Sequence, residues 1–138
     1  MKFKILILVL TIGFSLFTSC SNDDDSIEVE TISGIWNLKN VSGGLLGVNI
    51  DYNQGDVKWE FNLNTNKLTV ENNILTTGPE DIYAGLESGT YDIKISQNGA
   101  TQTLFIDNIE RGNLTLLNNN LKIDEGLVSD GFITEFER

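Results

Sequence analysis

The 138-residue chain has no histidine, one cysteine, one proline and only nine lysine and arginine residues against 20 aspartate and glutamate. Each scarcity excludes something. Without histidine there is no Ser-His-Asp triad, no Cys-His pair and no Cys/His zinc site. A single cysteine forbids an internal disulfide. A net charge of −11 lacks the basic stripe that a phosphate backbone requires, so nucleic acid is not an expected partner. Gly43-Gly44 is followed by neither a lysine nor a helical pattern, so there is no phosphate-cradling loop. Acid–base chemistry would fall to carboxylates alone. Yet Glu60, Glu71, Asp92, Glu135 and Glu137 alternate with apolar residues, as the wet side of strands does. Asp124-Glu125 and Asp130 offer oxygen ligands at a spacing that matches no calcium loop. The expectation is a protein that is not an enzyme and holds no cofactor or metal. Its 40% hydrophobic content is enough to build a core, and its length suits one domain.

The apolar residues are unevenly placed. Lys2 and Lys4 precede an apolar run from Ile5 to Phe17, and small Thr18 and Ser19 then lead to Cys20. A basic start, a short apolar run and small residues form a secretory signal peptide. The run is shorter than the about 20 residues of a membrane span. Phe17-Thr18-Ser19-Cys20 resembles a bacterial lipobox, with Phe17 where leucine is usual. That resemblance implies cleavage after Ser19 and lipid on Cys20, the only cysteine. The following Asp23-Asp24-Asp25 resembles the acidic export signal of Bacteroidetes-type surface lipoproteins. It implies an outer-membrane, lipid-anchored protein at the cell surface; the alternative is a plain solvated tether. The expected organisation is a signal peptide over 1–19, the lipidated Cys and acidic tether over 20–33, and one domain over 34–138. Cleavage would remove two lysines and none of the acids. Lipid, rather than so acidic a surface, would then supply the membrane contact.

From residue 34 onward period-two alternation dominates. Val57, Trp59, Phe61 and Leu63 alternate with Lys58, Glu60 and Asn62, and Tyr91, Ile93 and Ile95 with Asp92 and Lys94. The pattern predicts eight strands, at 34–41, 56–63, 67–73, 89–97, 101–107, 112–117, 121–124 and 131–137. Every second connection is a three-residue turn: Asn64-Thr65-Asn66, Asn98-Gly99-Ala100 and Asn118-Asn119-Asn120. The connections between them are longer. In an up-and-down meander this parity gathers the long loops at one end. The predicted fold class is all-β, an eight-stranded antiparallel up-and-down barrel, because closure removes exposed edges. A two-sheet sandwich is the alternative.

Gly34-Ile35-Trp36 in the first strand is similar to the Gly-x-Trp signature that opens lipocalins and related calycins. Trp59-Glu60-Phe61 and the closing segment from Asp130-Gly131-Phe132 to Phe136-Glu137-Arg138 fit the same group. The resemblance covers 34–138. It implies structural roles for Gly34, Trp36 and Arg138, with the arginine packed across the tryptophan to close the barrel base.

Two interiors fit this pattern, one filled by side chains and one that holds a small ligand. The long loops 42–55 and 74–88 carry apolar residues among glycines, as a lid over a hydrophobic cavity would; they could equally fold back as plugs. Candidate ligand-binding residues are Leu46, Val48, Tyr52, Trp59, Phe61, Tyr83 and Tyr91. The first expected function is a membrane-anchored, lipocalin-like lipoprotein that binds a small hydrophobic ligand in the barrel. The alternative is a structural or interaction lipoprotein with a filled barrel, whose mouth loops contact a protein or glycan.

Overall fold

The computed structural model describes residues 31–126 and 129–138. The expected signal peptide, Cys20 and the acidic triplet lie outside the described residues. The strands are β1 (Gly34–Gly43), β2 (Val48–Asp51), β3 (Val57–Asn62), β4 (Lys67–Asn72), β5 (Gly89–Asn98), β6 (Thr101–Ile106), β7 (Ile109–Leu117), β8 (Asn120–Asp124) and β9 (Phe132–Glu137). A single helical turn, α1 (Pro79–Ile82), interrupts the β4–β5 connection. Proline at the start of α1 lacks only an N–H that would have no partner in the helix.

β1 pairs with β3, each later strand pairs antiparallel with the next, and β9 returns to β1. The result is a closed eight-stranded antiparallel barrel in up-and-down order. Closure uses both edges of β1: Gly34–Asn37 pair with β3, while Asn37–Gly43 pair with β9. A bulge between Leu38 and Asn40 shifts the β1–β9 register, so Val41 is buried where strict alternation points Asn40 inward.

Two sequence expectations need correction. Segment 42–55 is not a free loop. Its residues Val48–Asp51 form β2, a ninth strand that hairpins back on Asn40–Gly43 and covers the edge of β1 above β3. The alternation there is only four residues long and is masked by the glycines of the turn. The β6–β7 connection is not among the longer ones. It is the two-residue turn Asp107-Asn108, with φ of 50° and 65°, and Ile109 and Ile106 pair across it. Both central residues at positive φ make the hairpin turn that suits strand twist, and Asp and Asn tolerate it.

Inward residues follow the predicted alternation. Trp36, Leu38, Val57, Phe61, Leu68, Val70, Leu104, Ile106, Leu121 and Phe136 are essentially without solvent exposure. The lower and middle barrel is therefore filled. Outside, Lys58–Glu71 at 3.0 Å and Lys67–Asp92 at 2.6 Å are salt bridges between directly opposed residues. Such exposed cross-strand pairs contribute about 0.2–1 kcal/mol each.

Candidate functional site

Trp36 and Trp59 are direct partners across β1 and β3, yet their indoles serve opposite ends of the barrel. At the base, the end with the β3–β4, β5–β6 and β7–β8 turns, Trp36 Nε1–H donates to the Ile32 carbonyl at 2.7 Å. The Arg138 guanidinium lies 4.0 Å from the centre of the Trp36 ring. Its Nη2 donates to the carbonyls of Thr31 and Ser33, and the Arg138 backbone N–H donates to the Asn119 carbonyl in the β7–β8 turn. Every polar group named here has a partner, and the base is sealed.

At the mouth, the β4–β5 connection folds inward. Ala84 is buried, and Tyr83 packs on Phe132 with ring centres 5.5 Å apart. Gly85, at φ +90°, passes beside the Trp59 ring, where a Cβ would make ordinary van der Waals contact at 3.9 Å. Three side chains pin this plug. The Tyr52 hydroxyl donates to the Glu80 carbonyl at 3.0 Å, the Tyr91 hydroxyl to the Glu87 carbonyl at 2.8 Å, and Ser88 Oγ accepts from Asn72 N–H at 2.8 Å. Burial and the neighbouring Glu80 charge push the Tyr52 phenol up to about 12.

Beneath the plug lies a cavity of about 50 Å³. Trp59 forms its floor with Ile123, and Tyr83, Ala84, Gly85 and Leu86 roof it. Arg111, Glu125 and Thr134 form its polar wall. A second bulge aims Arg111 here. Leu104 pairs with Gly112 and Phe105 with Glu110, which leaves Arg111 as the extra residue of β7. Gly112 makes that geometry possible: φ is +121°, and a Cβ would meet the Asp124 carbonyl oxygen at 2.4 Å. Glu125 is exposed at the rim, yet partial burial pushes its carboxyl above the usual carboxylate range, against the opposing pull of Arg111. Arg111 and Glu125 also line an outer cleft of about 430 Å³ with Glu110, Asn113 and Asp124.

Two polar atoms of the lining residues stand out. Trp59 Nε1 and Arg111 Nε are buried and have no hydrogen-bond partner among the described residues. Trp59 is only 6% exposed. Its ring is fixed by Phe136, centres 4.8 Å apart, and Phe61, 6.0 Å apart.

Of the seven residues singled out as ligand-binding from the sequence, Trp59 and Tyr83 line the cavity. Phe61 is buried lower in the core and packs on Trp59. Tyr52 and Tyr91 hold the plug, and Val48 is half-buried in β2. Leu46 lies at the tip of the β1–β2 hairpin, in solvent. Gly34, at φ +110°, opens β1, and Trp36 and Arg138 meet at the base. Sequence reasoning did not place Arg111, Glu125 or Thr134 at a ligand site, although it weighed Glu125 as an oxygen ligand for calcium. The one available signal was Arg111-Gly112, a charge and a glycine inside an otherwise alternating strand, which is the mark of a bulge.

Among the described residues no helix is long and apolar enough to cross a membrane, and no group of three or more acidic residues is placed to hold a metal ion. Comparison of the chain with protein-family models, with curated proteins and with solved structures finds no match.

Proposed function

We propose that this protein is a lipid-anchored, lipocalin-like lipoprotein of the outer membrane that binds a small ligand at the barrel mouth. The asymmetry of the two ends carries the reading. The base is sealed by paired groups, whereas the mouth is closed by a loop, held through hydrogen bonds and the packing of Tyr83 and Ala84, over a cavity that reaches Trp59. A cavity of about 50 Å³ cannot enclose a whole drug-sized ligand, which needs roughly 300 Å³ or more. The ligand therefore inserts one small group under the plug and leaves the rest between the mouth loops. The Phe17–Cys20 segment and the acidic triplet support the anchor and the surface location.

The test uses a Trp36→Phe variant, in which Trp59 is the only indole. Long-chain alcohols, isoprenoid alcohols, aliphatic acids and small aromatic compounds are titrated against its emission. A saturable change with any of them supports a binding mouth; no saturable change with any of them removes it. Cys20→Ala should release the protein from a carbonate-washed membrane fraction, and retention there would rule out the lipid anchor.

A second reading has its own support. Leu45 and Leu46 at the hairpin tip are 83% and 88% exposed, and Leu75 and Ile82 on the plug connection are 97% and 74% exposed. Large apolar side chains this exposed suit a protein or glycan contact surface.

A further inference from the structure

We propose that the mouth cavity recognises the carboxylate of a small aliphatic acid through Arg111 Nε–H and Trp59 Nε1–H. The inference rests on the binding-mouth reading above and adds the chemical class of the bound group.

It starts from the two buried N–H groups that lack partners. Leaving a buried donor unsatisfied costs about 1–3 kcal/mol, and more where the donor is charged. A folded domain holds only a few such atoms; here two of them belong to residues that line one cavity of about 50 Å³. The two side chains arrive there by independent routes. Trp59 is a regular inward position of β3, paired with Trp36 and Val70. Arg111 is the extra residue of a bulge that only a glycine at 112 permits. Both atoms can only donate, so the complementary group is an acceptor.

Charge and size narrow the acceptor. Arg111 makes no ion pair with a described residue, although Lys39, Lys58 and Lys67 all do. A partly buried guanidinium whose Nε–H has no acceptor favours an anion even with Glu125 nearby, and its N–H bonds to a carboxylate are about twice as strong as neutral ones. One water needs roughly 10–15 Å³ of such space, so the cavity takes a group of a few heavy atoms and no sugar or ring. The roof contributes Ala84, Leu86 and Tyr83, which suits a short aliphatic chain behind the carboxylate. Glu125 shares this wall with Arg111, and Glu110 and Asp124 line the outer cleft beyond it; a bound carboxylate competes with Glu125 for the guanidinium, and its gain is the pair of N–H bonds that no described residue supplies.

The experiment uses the full chain purified in detergent. Hexanoate, hexanamide and hexylamine are titrated while the Nε1–H resonance of Trp59 and the Nε–H resonance of Arg111 are followed by NMR. Hexanoate should move both resonances saturably, at least about tenfold more tightly than hexanamide, with no effect of hexylamine. Arg111→Met should weaken hexanoate at least about tenfold and leave hexanamide nearly unchanged. Trp59→Phe should weaken hexanoate too, and keeps the test open should Arg111→Met fold poorly. Equal binding of acid and amide, or movement of neither N–H resonance while binding is measured, overturns the carboxylate proposal and leaves the binding mouth standing. If none of the three probes binds, while longer alcohols shift Trp59 emission, the carboxylate proposal alone fails. Failure of every probe in both experiments overturns the binding mouth itself.

Discussion

The chain contains two tryptophans and two arginines, and the barrel places one of each at either end. At the base, Trp36 and Arg138 are stacked at 4.0 Å, and their N–H groups reach the carbonyls of Ile32, Thr31 and Ser33. At the mouth, Trp59 and Arg111 share a cavity wall and each keeps a buried N–H without a partner. The same residue types thus stand in opposite conditions. Satisfied polar groups around an apolar ring make a seal. Unsatisfied ones above a filled core make a place where an added molecule gains more than a fold does.

The sharpest way to break the comparison is at the base. Trp36→Ala removes a fully buried indole and should destabilise the domain by about 3–5 kcal/mol. Arg138→Ala should cost about 1 kcal/mol, mainly through the lost guanidinium–indole contact. Since the two touch, their losses should not add. Chemical denaturation of the two single variants and the double variant checks this, and a coupling energy of zero would mean the stacked pair does not close the base.

Next in size comes the bulge at the mouth. Gly112→Ala places a methyl group against the Asp124 carbonyl at a positive φ, so it should cost about 2–4 kcal/mol. It should also turn Arg111 away from the cavity. A stability unchanged by this substitution would show that the bulge does not dictate where Arg111 points.

The direct comparison of the two arginines predicts a smaller effect with a contrast in sign. Arg138→Met loses bonds that the fold uses. Arg111→Met replaces a guanidinium that carries an unpaired buried N–H with an apolar chain of similar length. It should cost less than Arg138→Met, and a modest gain is consistent with removing an uncompensated polar group. Denaturant midpoints measured without ligand decide it. A larger loss at Arg111 would mean that this side chain already has its full set of partners in the folded protein.

Much of this contrast lay out of reach of the sequence. Alternation is a local signal, so Val57-Lys58-Trp59-Glu60-Phe61 was legible as a half-buried strand and the eight-stranded barrel followed from repeating it. The Trp36–Arg138 contact was legible because a family resemblance tied the first strand to the last. The bulges were not. Each inserts one residue into a strand whose composition barely changes, so alternation does not show where the inner face passes to Val41, and the predicted strand starts at 112, after Arg111. Nor was β2 legible, since four alternating residues after a glycine-rich turn look like loop until their partner at Asn40–Gly43 is known. The cavity arises at one of these irregularities, which is why Arg111 and Glu125 were absent from the expected site.

The smallest effect concerns the peg that keeps the mouth shut. The Tyr52 hydroxyl donates to the Glu80 carbonyl, and its ionisation is pushed up to about 12 from an ordinary value of 10. A phenol raised in this way favours the folded, protonated state. Its contribution is complete below pH 10 and is lost as the pH climbs from 10 through 12. A phenolate can no longer donate, and it stands close to the Glu80 charge. The plug should therefore loosen in this window, whereas the Trp36 indole at the base has no proton that titrates there. Tyr52→Phe should reproduce the loosening at neutral pH at a cost of about 0.5–1.5 kcal/mol, the worth of one hydrogen bond. Hydrogen exchange separates the two ends. Amide protection at Tyr83 and Ala84 should fall with Tyr52→Phe, while protection in Gly34–Asn37 stays as it is. In the wild type, protection at Tyr83 and Ala84 should fall from pH 10 upward more steeply than in the variant, after correction for the intrinsic exchange rate. If both ends lose protection together in the variant, the plug is part of the cooperative core, and the mouth is as permanently closed as the base.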